Sequence, residues 1–83
     1  MERECIGTIQ LPKKGIKLRY YLIFSRSEGY GLEVEQEDDS GTICECRTHI
    51  SDDKQFVLAL GRKIARGIVF PGYLSEIVED LID

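Results

Sequence analysis

The apolar residues of this chain change their spacing once, near Ser51. Before that point they alternate at period two, the repeat of a strand with one buried face. After it they recur at intervals of three and four, the repeat of an amphipathic helix. A chain divided in this way folds as a sheet followed by helices, an α+β arrangement. Its 83 residues supply one core, so we read 1–83 as a single domain, with a β-meander over 1–50 and a helical hairpin over 51–83. Such a core is only marginally sufficient, and a homodimer would add to it.

Three Gly-containing breaks divide the first fifty residues: Pro12-Lys13-Lys14-Gly15, Ser27-Glu28-Gly29 and Asp39-Ser40-Gly41. Strands are expected over Cys5 to Leu11, Leu18 to Arg26, Tyr30 to Asp38 and Thr42 to Ile50. The second and third breaks read as three-residue hairpin loops with Gly in the left-handed position. They predict Arg26 opposite Tyr30, Leu22 opposite Val34, Asp38 opposite Thr42 and Val34 opposite Cys46. The four-residue first turn predicts Leu11 beside Ile16, Ile9 beside Leu18 and Cys5 beside Leu22. In this register all three cysteines, Cys5, Cys44 and Cys46, point into the core. The other face carries Arg19 opposite Glu37, Arg47 opposite Glu33 and an unfavourable Glu35 opposite Glu45.

Ser51 is the expected cap of the first helix, with Asp52 and Asp53 in its first turn. Phe56, Val57, Leu60, Ile64 and Ile68 form its apolar stripe, and Gly67 suits the position just past its end. The second helix is expected to start at Pro71 and to bury Leu74, Ile77, Val78, Leu81 and Ile82. Its other face holds Glu76, Glu79, Asp80 and Asp83. Acids near a helix C-terminus oppose the helix dipole. Arg62, Lys63 or Arg66 of the first helix are the expected internal counter-charges, and a basic partner is the alternative.

Charge excludes some functions. The formal net charge of −4 and pI near 5.0 remove the phosphate attraction that dominates nucleic-acid affinity. A helix-turn-helix reading of 51–83 fails because its recognition helix would bring four carboxylates to DNA. A basic first hairpin, Lys13, Lys14, Lys17 and Arg19, keeps nucleic-acid binding as a third reading, although it lacks interleaved aromatics beyond Tyr21. No apolar run is long enough to span a bilayer, and the opening MERECIGTIQ is charged where a secretory signal is apolar, so a cytoplasmic protein is expected.

The sequence carries no motif that fixes a catalytic centre, a cofactor or a phosphate-binding loop. Cys44, Cys46 and His49 spell C-x-C-x-x-H, a ligand set that zinc or a thiol reaction could use. On a regular strand, however, His49 projects away from the two thiols. The reading favoured is a small non-enzymatic interaction or regulatory module without a cofactor, acting on a protein partner or as a homodimer. A metal- or thiol-dependent protein using Cys44, Cys46 and His49 is the alternative. Two surfaces are candidates: an outward apolar cluster of Ile6, Tyr21 and Ile23 on the uncovered sheet face, and the acidic helix face of Glu76, Glu79 and Asp80.

The segments Tyr30-Gly31-Leu32-Glu33-Val34 and Val69-Phe70-Pro71-Gly72-Tyr73-Leu74-Ser75-Glu76-Ile77-Val78-Glu79-Asp80-Leu81 resemble a family of short uncharacterised proteins of clostridia and related Firmicutes, a domain of unknown function. The resemblance implies the same architecture over nearly the whole chain. It brings no catalytic or binding residues with it.

Overall fold

A computed structural model describes residues 2–82. Four strands, β1 (Glu2–Leu11), β2 (Ile16–Ser25), β3 (Gly29–Asp38) and β4 (Gly41–Ser51), form one antiparallel sheet in the order β1-β2-β3-β4. Helices α1 (Lys54–Arg66) and α2 (Leu74–Ile82) come after it. The expected meander with two C-terminal helices on one face is therefore the architecture, and the local turns account for its register.

Pro12 to Lys14 form one 3-10 turn closed by Gly15 at φ 66°. Leu11 faces Ile16 and Ile9 faces Leu18 as expected. A β-bulge at Ile6 then shifts the pairing, setting Cys5 opposite Tyr21 rather than Leu22. One extra residue reverses the facing of the strand on its N-terminal side. Cys5 therefore turns outward, and Ile6 packs against the core beneath the helices. The second hairpin keeps a three-residue loop but turns one residue earlier than predicted, with Ser25 opposite Gly29 and Leu22 opposite Leu32. That two-residue shift preserves the faces, so Leu18, Tyr20, Leu22, Leu32 and Val34 are all buried together.

The third hairpin departs by a single residue, and the departure changes what β4 does. Asp38 pairs with Gly41, not Thr42. The Asp38 carboxylate accepts hydrogen bonds from the Ser40 amide (2.9 Å) and hydroxyl (2.8 Å), stabilising a two-residue turn. From Thr42 to Arg47 the side chains of β4 are thereby on the opposite face from the predicted one, while Ile50, beyond a second irregularity, packs against the core as expected. Cys44 and Cys46 lie beside Glu35 and Glu33 on the outer face and are exposed, while Glu45 and Arg47 point to the helix side. Farther along, Leu32 pairs with Arg47 but Tyr30 pairs with Ser51. The extra length of β4 crosses Gly31, where any Cβ would collide with the Arg47 carbonyl. His49 takes φ 59° within this bulge.

The helix start also shifts. Asp53, not Ser51, caps α1, its carboxylate accepting from the Gln55 (3.0 Å) and Phe56 (3.3 Å) amides. Ser51 instead accepts from the Asp53 amide and fixes the approach. Helix α1 lies across the sheet and buries Val57, Leu60 and Ile64 against it. Helix α2 rests on β4 through Leu74 and Val78. Fully burying an aliphatic side chain of this size contributes roughly 1.5 to 3 kcal/mol.

The end of α1 breaks a local rule. The Ile68 amide donates to the Ala65 carbonyl (3.2 Å) and the Val69 amide to the Ile64 carbonyl (3.3 Å). These are the paired bonds of a Schellman motif whose left-handed residue is Ile68, at φ 53°, while Gly67 keeps a right-handed φ of −81°. The glycine therefore stands one position before the place that needs it. A β-branched residue there costs about 1 to 2 kcal/mol. The strained chain nonetheless delivers Val69 into the core, where its carbonyl accepts from the buried Tyr20 hydroxyl at 3.1 Å.

Candidate interaction surfaces

The uncovered sheet face is built from cross-strand rows. Thr8, Arg19, Glu35 and Cys44 form one row, and Cys5, Tyr21, Glu33 and Cys46 the next. Arg19 binds both Glu35 and Glu37 at 2.9 Å, and Arg3 reaches Glu33 at 3.4 Å. The Arg3 guanidinium also lies 4.2 Å above the centre of the Tyr21 ring. Ion pairs that remain open to solvent contribute 0 to about 1 kcal/mol each, and the Arg19–Glu35 pair is the most sheltered of these. Their effect is to make the face polar and internally neutralised.

The outward apolar cluster expected of Ile6, Tyr21 and Ile23 does not assemble. The bulge sends Ile6 to the helix side, and Ile23, between Arg3 and Gly31 on the neighbouring strands, is only 2% exposed. Tyr21 keeps its outward position beneath Arg3. The basic hairpin is likewise divided. Lys13 and Lys14 are exposed on the 3-10 turn, whereas Arg19 is held by two carboxylates. Its hydrogen bond to Glu37, with that to Glu35 adding to it and partial desolvation opposing both, raises the Arg19 guanidinium above its ordinary range.

Cys44 and Cys46 share the outer face, and His49 sits in the bulge beyond them. Among the described residues, no three His, Cys, Asp or Glu side chains converge on a point that could hold a metal ion. The Cys44 thiol is pushed above its usual range by partial burial and then by the negative field of Glu33 and its neighbours. It is thus predominantly protonated at neutral pH, the wrong state for a nucleophile.

The acidic helix is positioned by a contact that sequence periodicity misses. The Glu45 carboxylate accepts from the Gly72 (2.8 Å) and Leu74 (2.9 Å) amides, capping α2 from a strand 29 positions away. Pro71 and Gly72 lie in the preceding turn, so α2 starts at Leu74, later than predicted. Burial opposes ionisation of Glu45, but bonds from Gly72, Leu74 and Ser75 hold its carboxyl below the ordinary range.

Glu76, Glu79 and Asp80 all lie on the exposed face of α2, and Asp83 lies outside the described residues. The counter-charge is not the predicted one. Arg47 of β4 pairs with Glu79 at 3.3 Å, while among the described residues Arg62, Lys63 and Arg66 of α1 make no ion pair. Leu81 and Ile82, expected to be buried, are 43% and 40% exposed. The inverted facing of β4 is what brings Arg47 and Glu45 to this helix, so no signal within the helix itself could have revealed them.

The chain belongs to a family of unknown function (DUF6514), whose model matches residues 4–83. No curated protein and no solved structure matches it.

Proposed function

We propose that this family member is a small non-enzymatic interaction module that presents the outer face of α2 to a protein partner with a basic, partly apolar surface. The observation that carries this reading is the composition of the exposed helix face. Glu76, Glu79 and Asp80 border Leu81 and Ile82, and among the described residues only Glu79 of these three acids has an internal cation, with its side chain still 63% exposed. Negative charge at the already negative end of a helix is unfavourable in isolation. An amphipathic helix entering a basic-rimmed groove relieves that charge and covers the aliphatic side chains together.

Three exposed free thiols support a reducing compartment, and we place the protein in the cytoplasm. The Tyr30–Val34 and Val69–Leu81 motifs support a source among clostridia and related Firmicutes.

The test is affinity capture from the native host with wild-type protein and with a Glu76→Lys, Asp80→Lys variant shown by circular dichroism to be folded. Loss of specific partners from the variant is expected. Recovery of the same partners in the same amounts by both proteins rules out the α2 surface.

A further inference from the structure

The turn between β1 and β2 meets the connection between α1 and α2 at one end of the molecule, and an open apolar groove runs between them. Leu11, Pro12, Ile68 and Phe70 form its walls, and Lys13 and Lys14 stand on its border. We propose that this groove docks an acidic peptide segment bearing aliphatic or aromatic anchors, supplied by a partner protein and bound independently of the α2 face.

Three observations converge on it. Ile68 occupies the left-handed helix-terminal position that glycine or asparagine suits, yet it is a β-branched apolar residue and 40% exposed. Strain of this kind persists where something other than stability retains the residue. Second, among the described residues no carboxylate lines the groove and neither Lys13 nor Lys14 joins an ion pair. On a chain of net charge −4 this is a locally basic site, so its occupant carries negative charge. Third, the walls are apolar side chains held at fixed positions by the 3-10 turn and the Schellman bonds, a preformed arrangement that lowers the ordering cost of binding.

A second copy is the poorer occupant. Helix α2 starts at Glu45 and reaches Arg47 by Glu79, so its acidic end points away from the 12–15 turn. Insertion into a neighbour's groove would join copies head to tail, a contact that propagates unless its rotation closes a ring.

The experiment selects ligands for the wild-type protein from a phage-displayed random peptide library. Each selected peptide is then titrated against wild type, a Lys13→Glu, Lys14→Glu variant and Ile68→Gly. Enriched sequences are expected to combine net negative charge with large apolar residues, and to bind each variant about tenfold or more weakly. Ile68→Gly is expected to keep or raise the melting temperature, which separates lost binding from lost folding. NMR shifts induced by the same peptides in the wild-type protein are expected to centre on Leu11 and Phe70 whatever the variants do. Binding is expected to survive Glu76→Lys, Asp80→Lys, which sets this site apart from the α2 surface.

The proposal is overturned by a failure to enrich any peptide, by enriched peptides without acidic residues, or by affinity unchanged in either variant. It is overturned equally if the protein binds phosphatidylcholine vesicles containing phosphatidylglycerol through Lys13 and Lys14 while no peptide is enriched, because the groove would then face a lipid surface.

Discussion

Ile68 combines two costs at one position, a left-handed backbone and an exposed aliphatic side chain. Ile68→Gly is expected to stabilise the fold by about 1 kcal/mol, raising the melting temperature by roughly 4 to 8 °C for a domain of this size. Thermal unfolding measures it directly, and a lower melting temperature would mean that the side chain's packing outweighs the strain. Tyr20 is the opposite kind of residue. It is 1% exposed, and its hydroxyl satisfies the Val69 carbonyl. Tyr20→Phe leaves that buried acceptor without a partner and is expected to cost about 1 to 3 kcal/mol in denaturant unfolding. Burial also pushes the Tyr20 phenol up to about 12. Because the folded state favours the neutral phenol, this contribution is complete below the unfolded value near 10 and is lost as pH rises toward 12. The Phe variant should therefore lose less stability than wild type across that interval.

At the scale of elements, β4 both completes the sheet and holds α2. Glu45→Ala removes the acceptor for two amides at the helix start and is expected to destabilise the protein by about 1 to 2 kcal/mol at neutral pH. The folded-state Glu45 carboxyl lies below its ordinary range, so its contribution is present above the unfolded value of about 4.3 and disappears as pH falls through the folded one. The difference between wild type and Glu45→Ala should accordingly shrink below about pH 4, as urea titrations at several pH values would show. The helical elements themselves were legible in the sequence, because Val57, Leu60 and Ile64 repeat at a period no strand can use. Their ends were less so. Asp53 and Ser51 are both competent caps, and the choice between them depends on where β4 releases the chain. The start of α2 was hidden for a stronger reason, since its cap is contributed by another element.

For the molecule as a whole, the altered facing of β4 and the bulge in β1 place all three thiols in solvent. Ellman's reagent should therefore titrate three thiols per chain in the native protein without denaturant, whereas inward cysteines would react only on unfolding. Gly31 is the point where the β4 bulge closes over the sheet. Gly31→Ala would drive a methyl group into the backbone of Arg47 and Thr48, and overpacking of this kind is expected to cost about 1 to 3 kcal/mol in equilibrium unfolding. Local pattern was enough to give the number of strands, the order of strands and helices, and the core made by Leu18, Leu22, Leu32 and Val34, because period and turn chemistry act over a few residues. It also identified the exposed acids of α2. Long-range packing had to decide which face β4 presents, which cation meets Glu79, and that Ile6 and Ile23 do not share a surface. The difference lies in the strand period of two: a one-residue change at the Asp38 turn or at Ile6 reverses a strand without altering its pattern. The correct alternative is selected by contacts with α1 and α2, far away in the chain.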